Sequence, residues 1–275
     1  MHPDDRRPPD LETVTQVQQQ IWSQGDFAKI GVSAQIVTEE LCEAVDVLPG
    51  QRVLDVACGA GNGAIAAARR NAEAVGLDYV PALLERARER AAAEGYDIEF
   101  VEGDAQALPF EDGSFDVAVS TFGAMFAPDQ EKTAAELMRV CRSGGKIGMA
   151  NWPPRGIVGA GVFKIAAEHA PPPPGVQPPV LWGTEERLRE LFGDGISELT
   201  LNDRQLNLHY HSPEHWLEYF RTYFGPMITA FARVGDEGAP ALEQDLLELM
   251  RGANRAGDAA LVAPADYVEV VAIRA

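Results

Sequence analysis

The stretch VLDVACGAGNGAIAAARR, residues 53–70, constrains the fold of this chain more than any other. An apolar run from Val53 to Cys58, broken only by Asp55, leads through a glycine-rich bend into a helix of small residues. A strand so continuously apolar is buried on both faces, as in a parallel sheet covered by helices. Gly59 and Gly61 allow a tight bend with no Cβ to keep a ligand from the backbone. The bend alone leaves several readings open. It joins strand to helix and nothing more, or it holds a dinucleotide, since Gly59, Gly61 and Ala64 satisfy G-x-G-x-x-A, or it holds a different ligand.

The alternation continues on both sides. Apolar spacing predicts helices over 11–23 and 33–46 before the bend. After it come a helix at 63–71, a strand at 74–78, a helix at 81–94, strands at 97–102 and 115–121, a helix at 130–141 and a strand at 145–151. That order calls for an α/β fold with a mostly parallel sheet. The run PPPPGVQPP, residues 171–179, cannot continue a helix or a central strand and reads as a stiff connector. Thr184 then suits an N-cap, with Glu185 and Glu186 in the first turn. Strand-like alternation over 197–209, helices at 213–224 and 239–252, and a last strand at 267–273 complete the chain. The organisation expected is an N-terminal helical cap segment (1–32), a Rossmann-like core (33–152), and cap insertions with C-terminal strands completing the same sheet (153–275).

Charge and cysteines narrow the function. With 42 Asp and Glu against 23 Lys and Arg, the formal charge is −19, which repels nucleic-acid phosphates and anionic membrane surfaces. Cys42, Cys58 and Cys141 form no C-x-x-C pair and are odd in number, so neither a disulfide framework nor a metal site is expected. The opening MHPDDRRPPD holds no apolar signal core, and no stretch is long and apolar enough to span a bilayer. The expectation is a cytoplasmic protein with no nucleic-acid partner and no membrane insertion; a homo-oligomer is left open.

Three carboxylates separate the readings of the bend. Asp55 stands beside the glycines, where a diphosphate would meet unwanted negative charge and an ammonium would be welcome. Asp78 ends the second strand, placed for the two hydroxyls of a ribose. Asp104 closes the third strand within GDAQALPFEDGSFDVAVS. Taken with VLDVACGAG, VGLDYV and ELMRVCRSGGKIGMANW, these residues resemble a class I S-adenosylmethionine-dependent methyltransferase of the ubiquinone/menaquinone-biosynthesis-like branch, over roughly residues 50–152. The resemblance implies a seven-stranded sheet with an antiparallel last strand. It also implies S-adenosyl-L-methionine as cofactor, leaving as S-adenosyl-L-homocysteine. By position it assigns Asp55, Ala57, Cys58, Gly59 and Gly61 to the methionine end, Asp78 to the ribose, and Asp104, Ala105 and Gln106 to the adenine, with Tyr79 against the adenine face and Ser120 and Thr121 offering a carbonyl to the ammonium. Where the family often has glycine, this chain has Ala57.

Such a reaction needs an oriented nucleophile more than an enzyme nucleophile. A hydroxyl or amine acceptor is helped by a base, and His209 and His211, flanking Tyr210 on the strand before a helix, are the candidates. Of the aromatics outside the parallel core (Trp22, Phe27, Phe126, Trp152, Trp182, Trp216, Tyr223), the acceptor pocket is expected to use Phe27, Phe126 and Trp152. The stretch 153–185 and the helices before the last strand are the candidate cap. The function expected is methyl transfer to a small-molecule acceptor. An NAD-dependent oxidoreductase and a non-catalytic S-adenosylmethionine-binding protein are the competing readings. The tetrapeptide Asn-Pro-Pro-aromatic, which amino-methylating enzymes carry after the fourth strand, is replaced here by STFGAMF.

Overall fold

Seven strands form a single sheet in the order β3-β2-β1-β4-β5-β7-β6. A computed structural model describes residues 10–173 and 175–275; residues 1–9 of the opening segment and Pro174 of the proline-rich connector lie outside them. The strands are β1 (Arg52–Val56), β2 (Glu73–Asp78), β3 (Glu99–Glu102), β4 (Phe115–Thr121), β5 (Cys141–Asn151), β6 (Ile196–Tyr210) and β7 (Leu261–Arg274). The first five run parallel, and β7 lies antiparallel between β5 and β6. This is the architecture that the resemblance implied.

The apolar runs explain the centre. Val53, Leu54, Val56, Val117, Ala118 and Val119 are inaccessible to solvent or nearly so, buried by helices on both faces. One face is covered by α3 (Gln35–Ala44) and α4 (Asn62–Arg69), whose Leu41, Val45, Ala66 and Ala67 pack on Val53 and Val117. Beyond them, α5 (Pro81–Ala93) starts on Pro81, where a missing N–H costs nothing. On the other face lie α6 (Gln130–Val140), capped by the Asp129 side chain at the Lys132 amide, and α8 (Glu185–Phe192), whose Thr184 caps the Arg187 amide as expected.

The largest differences from expectation come after residue 152. The glycine-rich 157–163 run winds as one wide π-helical stretch, Ile157–Phe163, continuing into α7 (Lys164–His169). The helix expected at 239–252 is the second half of α10 (Gly225–Ala253), a segment broken at Gly235 (φ 63°). The segment opens on Gly225 and Pro226, and a proline in the first turn is a favourable start. The last strand begins at Leu261, six residues before the expected Tyr267, because it pairs with β6 along nearly its whole length. The remaining helices are α1 (Leu11–Trp22), the short α2 (Phe27–Gly31) and α9 (Pro213–Tyr223), the last capped by Ser212 at the His215 amide. Among the described residues no helix is long and apolar enough to cross a membrane.

Candidate active site

The carboxyl ends of β1, β2, β3 and β4 open into one cavity, the crevice where an open parallel sheet binds its ligands. Its floor is the β1–α4 bend. Gly61 stands at the N-cap of α4 in the left-handed region (φ 81°). A Cβ on Gly63 would lie 2.6 Å from the Asp55 carboxyl, so the first turn of α4 must be bare there. Asp55 takes advantage: its carboxylate accepts from the Ala64 amide at 2.9 Å and from the Gly63 amide. Burial pushes this carboxyl up to about 7 against the opposing pull of those amides, and nearby Asp78 adds to the rise.

That arrangement bears on the dinucleotide reading. A diphosphate bound at such a bend relies on the free N–H groups of the helix N-terminus. Here two of those amides already hold an internal carboxylate, whose charge repels phosphate and attracts a cation.

Asp78 sits across the cavity at the end of β2, with Oδ2 accepting from the Gly59 amide at 2.8 Å and Oδ1 from the Val80 amide at 2.9 Å. Each oxygen keeps a lone pair for a ligand hydroxyl. Burial raises this carboxyl to about 6. Asp104, after β3, accepts from the Gln106 backbone and side-chain amides. Gln106 itself spends every side-chain polar atom on protein: Nε2 donates to Asp104 and to Thr15 Oγ1, and Oε1 accepts from the Asp129 amide.

Of the expected cofactor residues, the cavity is lined by Asp55, Ala57, Cys58, Gly59, Asp78, Tyr79, Asp104, Ala105, Gln106 and Thr121. Gly61 shapes the bend without lining it, and the Ser120 hydroxyl turns inward, donating to the Val56 carbonyl and accepting from the Ala124 amide. The Cys58 thiol is held neutral by burial, its pKa well above the usual range. Ala57 (φ 54°) and Phe122 (φ 54°), just past the ends of β1 and β4, are both left-handed without being glycine. For an L-residue this costs about 1–2 kcal/mol, while glycine costs the unfolded chain's entropy in return. Ala57→Gly is therefore expected to raise the apo melting temperature by about 2 °C, as a gain of about 0.5–1 kcal/mol implies for a chain of this size. A lower melting temperature by scanning calorimetry would contradict it.

The N-terminal helix forms a wall of the cavity: Trp22, one of the aromatics outside the parallel core, lines it, and so do Thr15, Gln18, Asn62 and Phe122, which carry no signal of this in the sequence. Trp22 meets Phe27 at 5.3 Å, Phe126 at 5.1 Å and Phe224 at 5.7 Å between ring centroids. Phe27 and Phe126 line the cavity, whereas Trp152 stands behind it, stacked on Phe122 at 3.8 Å. The buried oxygens Gln18 Oε1 and Thr121 Oγ1 have no hydrogen-bond partner among the described residues. From the stretch 153–185, Phe163 reaches the same wall, 5.9 Å from Phe126.

The histidines are elsewhere, and the expectation that His209 or His211 serves as base is corrected. β6 is the far edge of the sheet, three strands beyond β4, a lateral distance of about 14 Å at the usual strand spacing. His209 is exposed, and His211 falls past the strand's end, where its ring lies 4.8 Å from that of His215. Alternation along a strand tells which side chains share a face but not where the strand lies in the sheet. No histidine lines the cavity among the described residues, nor is there a cluster of three or more metal-ligating side chains.

The residues present fit an adenosyl sulfonium amino acid: a carboxylate for an ammonium, a two-oxygen acceptor for a diol, an acidic edge beside a slot, and bare backbone between them.

Comparison with known proteins agrees. Residues 53–145 match a family described as Methyltransferase domain. An uncharacterized protein of Mycobacterium tuberculosis is 38% identical over 236 residues, 84% of this chain and 86% of that one. The demethylmenaquinone methyltransferase of Thermus thermophilus is 42% identical over 106 residues, 38% of this chain and 48% of that enzyme. Among solved structures, the YcgJ protein from Bacillus subtilis has a TM-score of 0.58 at 20% identity, covering 86% of this chain and 97% of that chain, a likeness of fold.

Proposed function

The chain belongs to the class I S-adenosylmethionine-dependent methyltransferases of the ubiquinone/menaquinone type, and from that premise we propose that it methylates a small, largely apolar acceptor held against the Trp22, Phe27 and Phe126 wall. S-adenosylmethionine held by these residues would supply an electrophilic methyl group for transfer to the acceptor. In this reading Asp55 faces the ammonium of the methionine end, Asp78 takes the ribose diol, and Asp104 with the Ala105 amide takes the adenine edge. Residues 10–32 act as a cap, and the stretch after 152 supplies Phe163 to its back.

The observation that carries the acceptor reading is the aromatic wall itself. Three rings of the lining come from segments outside the sheet and meet edge to face, so they enclose apolar space next to the bend. Their work is to orient the acceptor in line and to exclude water. The cytoplasm suits an enzyme whose three cysteines are all free and buried.

The test is transfer of labelled methyl from S-adenosylmethionine into a metabolite extract. Label should partition into an organic solvent; label confined to water-soluble or macromolecular fractions would overturn the reading. Phe126→Ala should lower that incorporation about tenfold, as the loss of roughly 1.5 kcal/mol of apolar contact implies. Calorimetric affinity for S-adenosylhomocysteine should stay within about threefold, since no polar contact to the nucleoside is removed. Equal losses in both would place Phe126 on the cofactor instead.

A further inference from the structure

We propose that Gln106 is a positioning residue that fastens α1 to the Asp104 carboxylate, so that the N-terminal helix closes over the nucleoside end of the cavity in step with the alignment of Asp104. The proposal rests on the reading of Asp104 as the adenine-edge acceptor.

Gln106 is buried, and both of its side-chain N–H donors are committed. Nε2 lies 2.9 Å and 3.0 Å from the two Asp104 oxygens and 3.0 Å from Thr15 Oγ1. An amide nitrogen carries two hydrogens, so the carboxylate and the hydroxyl receive one each. The Thr15 hydroxyl donates its own proton to the Leu11 carbonyl at 2.9 Å, which leaves it able only to accept from Gln106. On the far side, Oε1 accepts from the Asp129 amide at 3.0 Å, fixing the plane of the whole group. Both N–H donors are spent, so a ligand acceptor could bond the Gln106 side chain only by breaking one of these contacts, and through its donors Gln106 acts on a ligand by way of Asp104.

Apart from Trp22, which packs on Phe27, Phe126 and Phe224 at its C-terminal end, the helix it holds has few contacts. None of the residues of α1 is buried, although Thr15, Gln18 and Trp22 form one wall of the cavity. Besides Thr15, the Gln19 side-chain amide donates to the Tyr79 carbonyl, one residue past Asp78. These two polar tethers of α1 thus end on the segments that carry the nucleoside carboxylates. Gln18 Oε1, buried without a partner among the described residues, belongs to a residue lining the same cavity and is an acceptor ready for a donor on a bound ligand. A helix with few buried contacts opens at low free energy, so ligand binding that stiffens its tethers raises its protection.

The experiment uses the full chain, two ligands and one conservative change at the helix end of the contact, Thr15→Val, which leaves Asp104 and Gln106 intact. The ligands are S-adenosylhomocysteine and its analogue with hydrogen in place of the 6-amino group, which has no N–H for Asp104 at that edge. Thr15→Val should weaken the first about fivefold, the effect of one neutral hydrogen bond, and the second less than about twofold. Ligand-induced protection of residues 11–22 from hydrogen exchange should fall at the same time. Gln106→Leu should shift all three readouts further in the same direction. If Thr15→Val weakens both ligands equally, the contact is merely structural and the proposal is wrong; if it weakens neither, the contact carries nothing and the proposal is equally wrong. A wild-type chain that binds neither ligand would overturn the cofactor reading itself, an outcome distinct from both.

Discussion

Asp78→Ala is expected to weaken S-adenosylhomocysteine binding by about a hundredfold or more. Two hydrogen bonds to a charged acceptor are lost, each contributing roughly 1.5–3 kcal/mol, and every 1.4 kcal/mol is a factor of ten. Asp78 is suited to such bonds because its own geometry is fixed from both sides, by the Gly59 amide at 2.8 Å and the Val80 amide at 2.9 Å. Those amides belong to the β1–α4 bend and to the start of α5, so the carboxylate also ties the two loops that flank the nucleoside. Its removal leaves both amides without their acceptor, which costs folding free energy. That cost is offset by ending the burial of a charge that raises the group to about 6. The measured change in apo stability should accordingly be much smaller than the change in affinity. Asp78→Asn keeps the shape and one acceptor oxygen. It should lose some apo stability, because its NH2 group meets the Gly59 or the Val80 N–H that an oxygen accepted from, and it should lose at least tenfold in affinity, because that amide nitrogen donates where a ribose hydroxyl needs an acceptor. An analogue without the 2′ and 3′ hydroxyls should bind wild type and Asp78→Ala alike. A loss of less than about threefold for Asp78→Ala with S-adenosylhomocysteine would put the ribose elsewhere.

The parts of this fold that were legible are those with a local cause. β1, β2 and β4 are apolar runs that end in an acid, a glycine bend or a small polar pair, and a strand end is where a parallel sheet presents its ligands. Asp55, Asp78 and Asp104 follow each other through the chain at three successive strand ends, so pattern alone brings them to one crevice. What was not legible depends on contacts between distant segments. Nothing local in LETVTQVQQQIW tells that Thr15 will meet Gln106, 91 positions away, or that Trp22 will join Phe224. The position of β6 at the sheet edge is likewise a matter of topology, and it removes His209 and His211 from the chemistry. Trp152 fails by one layer: Phe122, forced into the left-handed region after β4, stands between it and the cavity.

Asp55→Asn should make the apo protein more stable at pH 8 while weakening its hold on the ligand. The wild-type carboxyl is 2% exposed, and burial raises it from 3.8 to about 7. A group whose folded pKa is raised holds its proton in the native state where the unfolded chain has released it. Between pH 3.8 and about 7 the native state therefore binds more protons, and stability falls as pH rises through that window. Above the window the ionised, buried carboxylate costs a few kcal/mol, because each tenfold difference in proton affinity between the folded and unfolded chain is worth about 1.36 kcal/mol. Asparagine is neutral at every pH, and its oxygen can still accept from the Ala64 amide. Its NH2 group needs an acceptor that the Gly63 side of the site does not offer, so part of the gain is lost. A net stabilisation of about 1–3 kcal/mol at pH 8, shrinking to near zero by pH 5, is the expected result of denaturant titrations at the two pH values. Ligand binding has the opposite sense. The ammonium of the methionine end favours the ionised carboxylate, so wild-type affinity for S-adenosylhomocysteine should rise between pH 6 and pH 7.5, with a proton released to buffer on binding. In Asp55→Asn that rise should be smaller, and affinity at pH 7.5 at least about tenfold lower, as loss of a buried charge partner implies. A variant no more stable at pH 8, together with a wild type whose affinity ignores pH, would show that the carboxylate at the α4 terminus caps a helix and does nothing for the ligand.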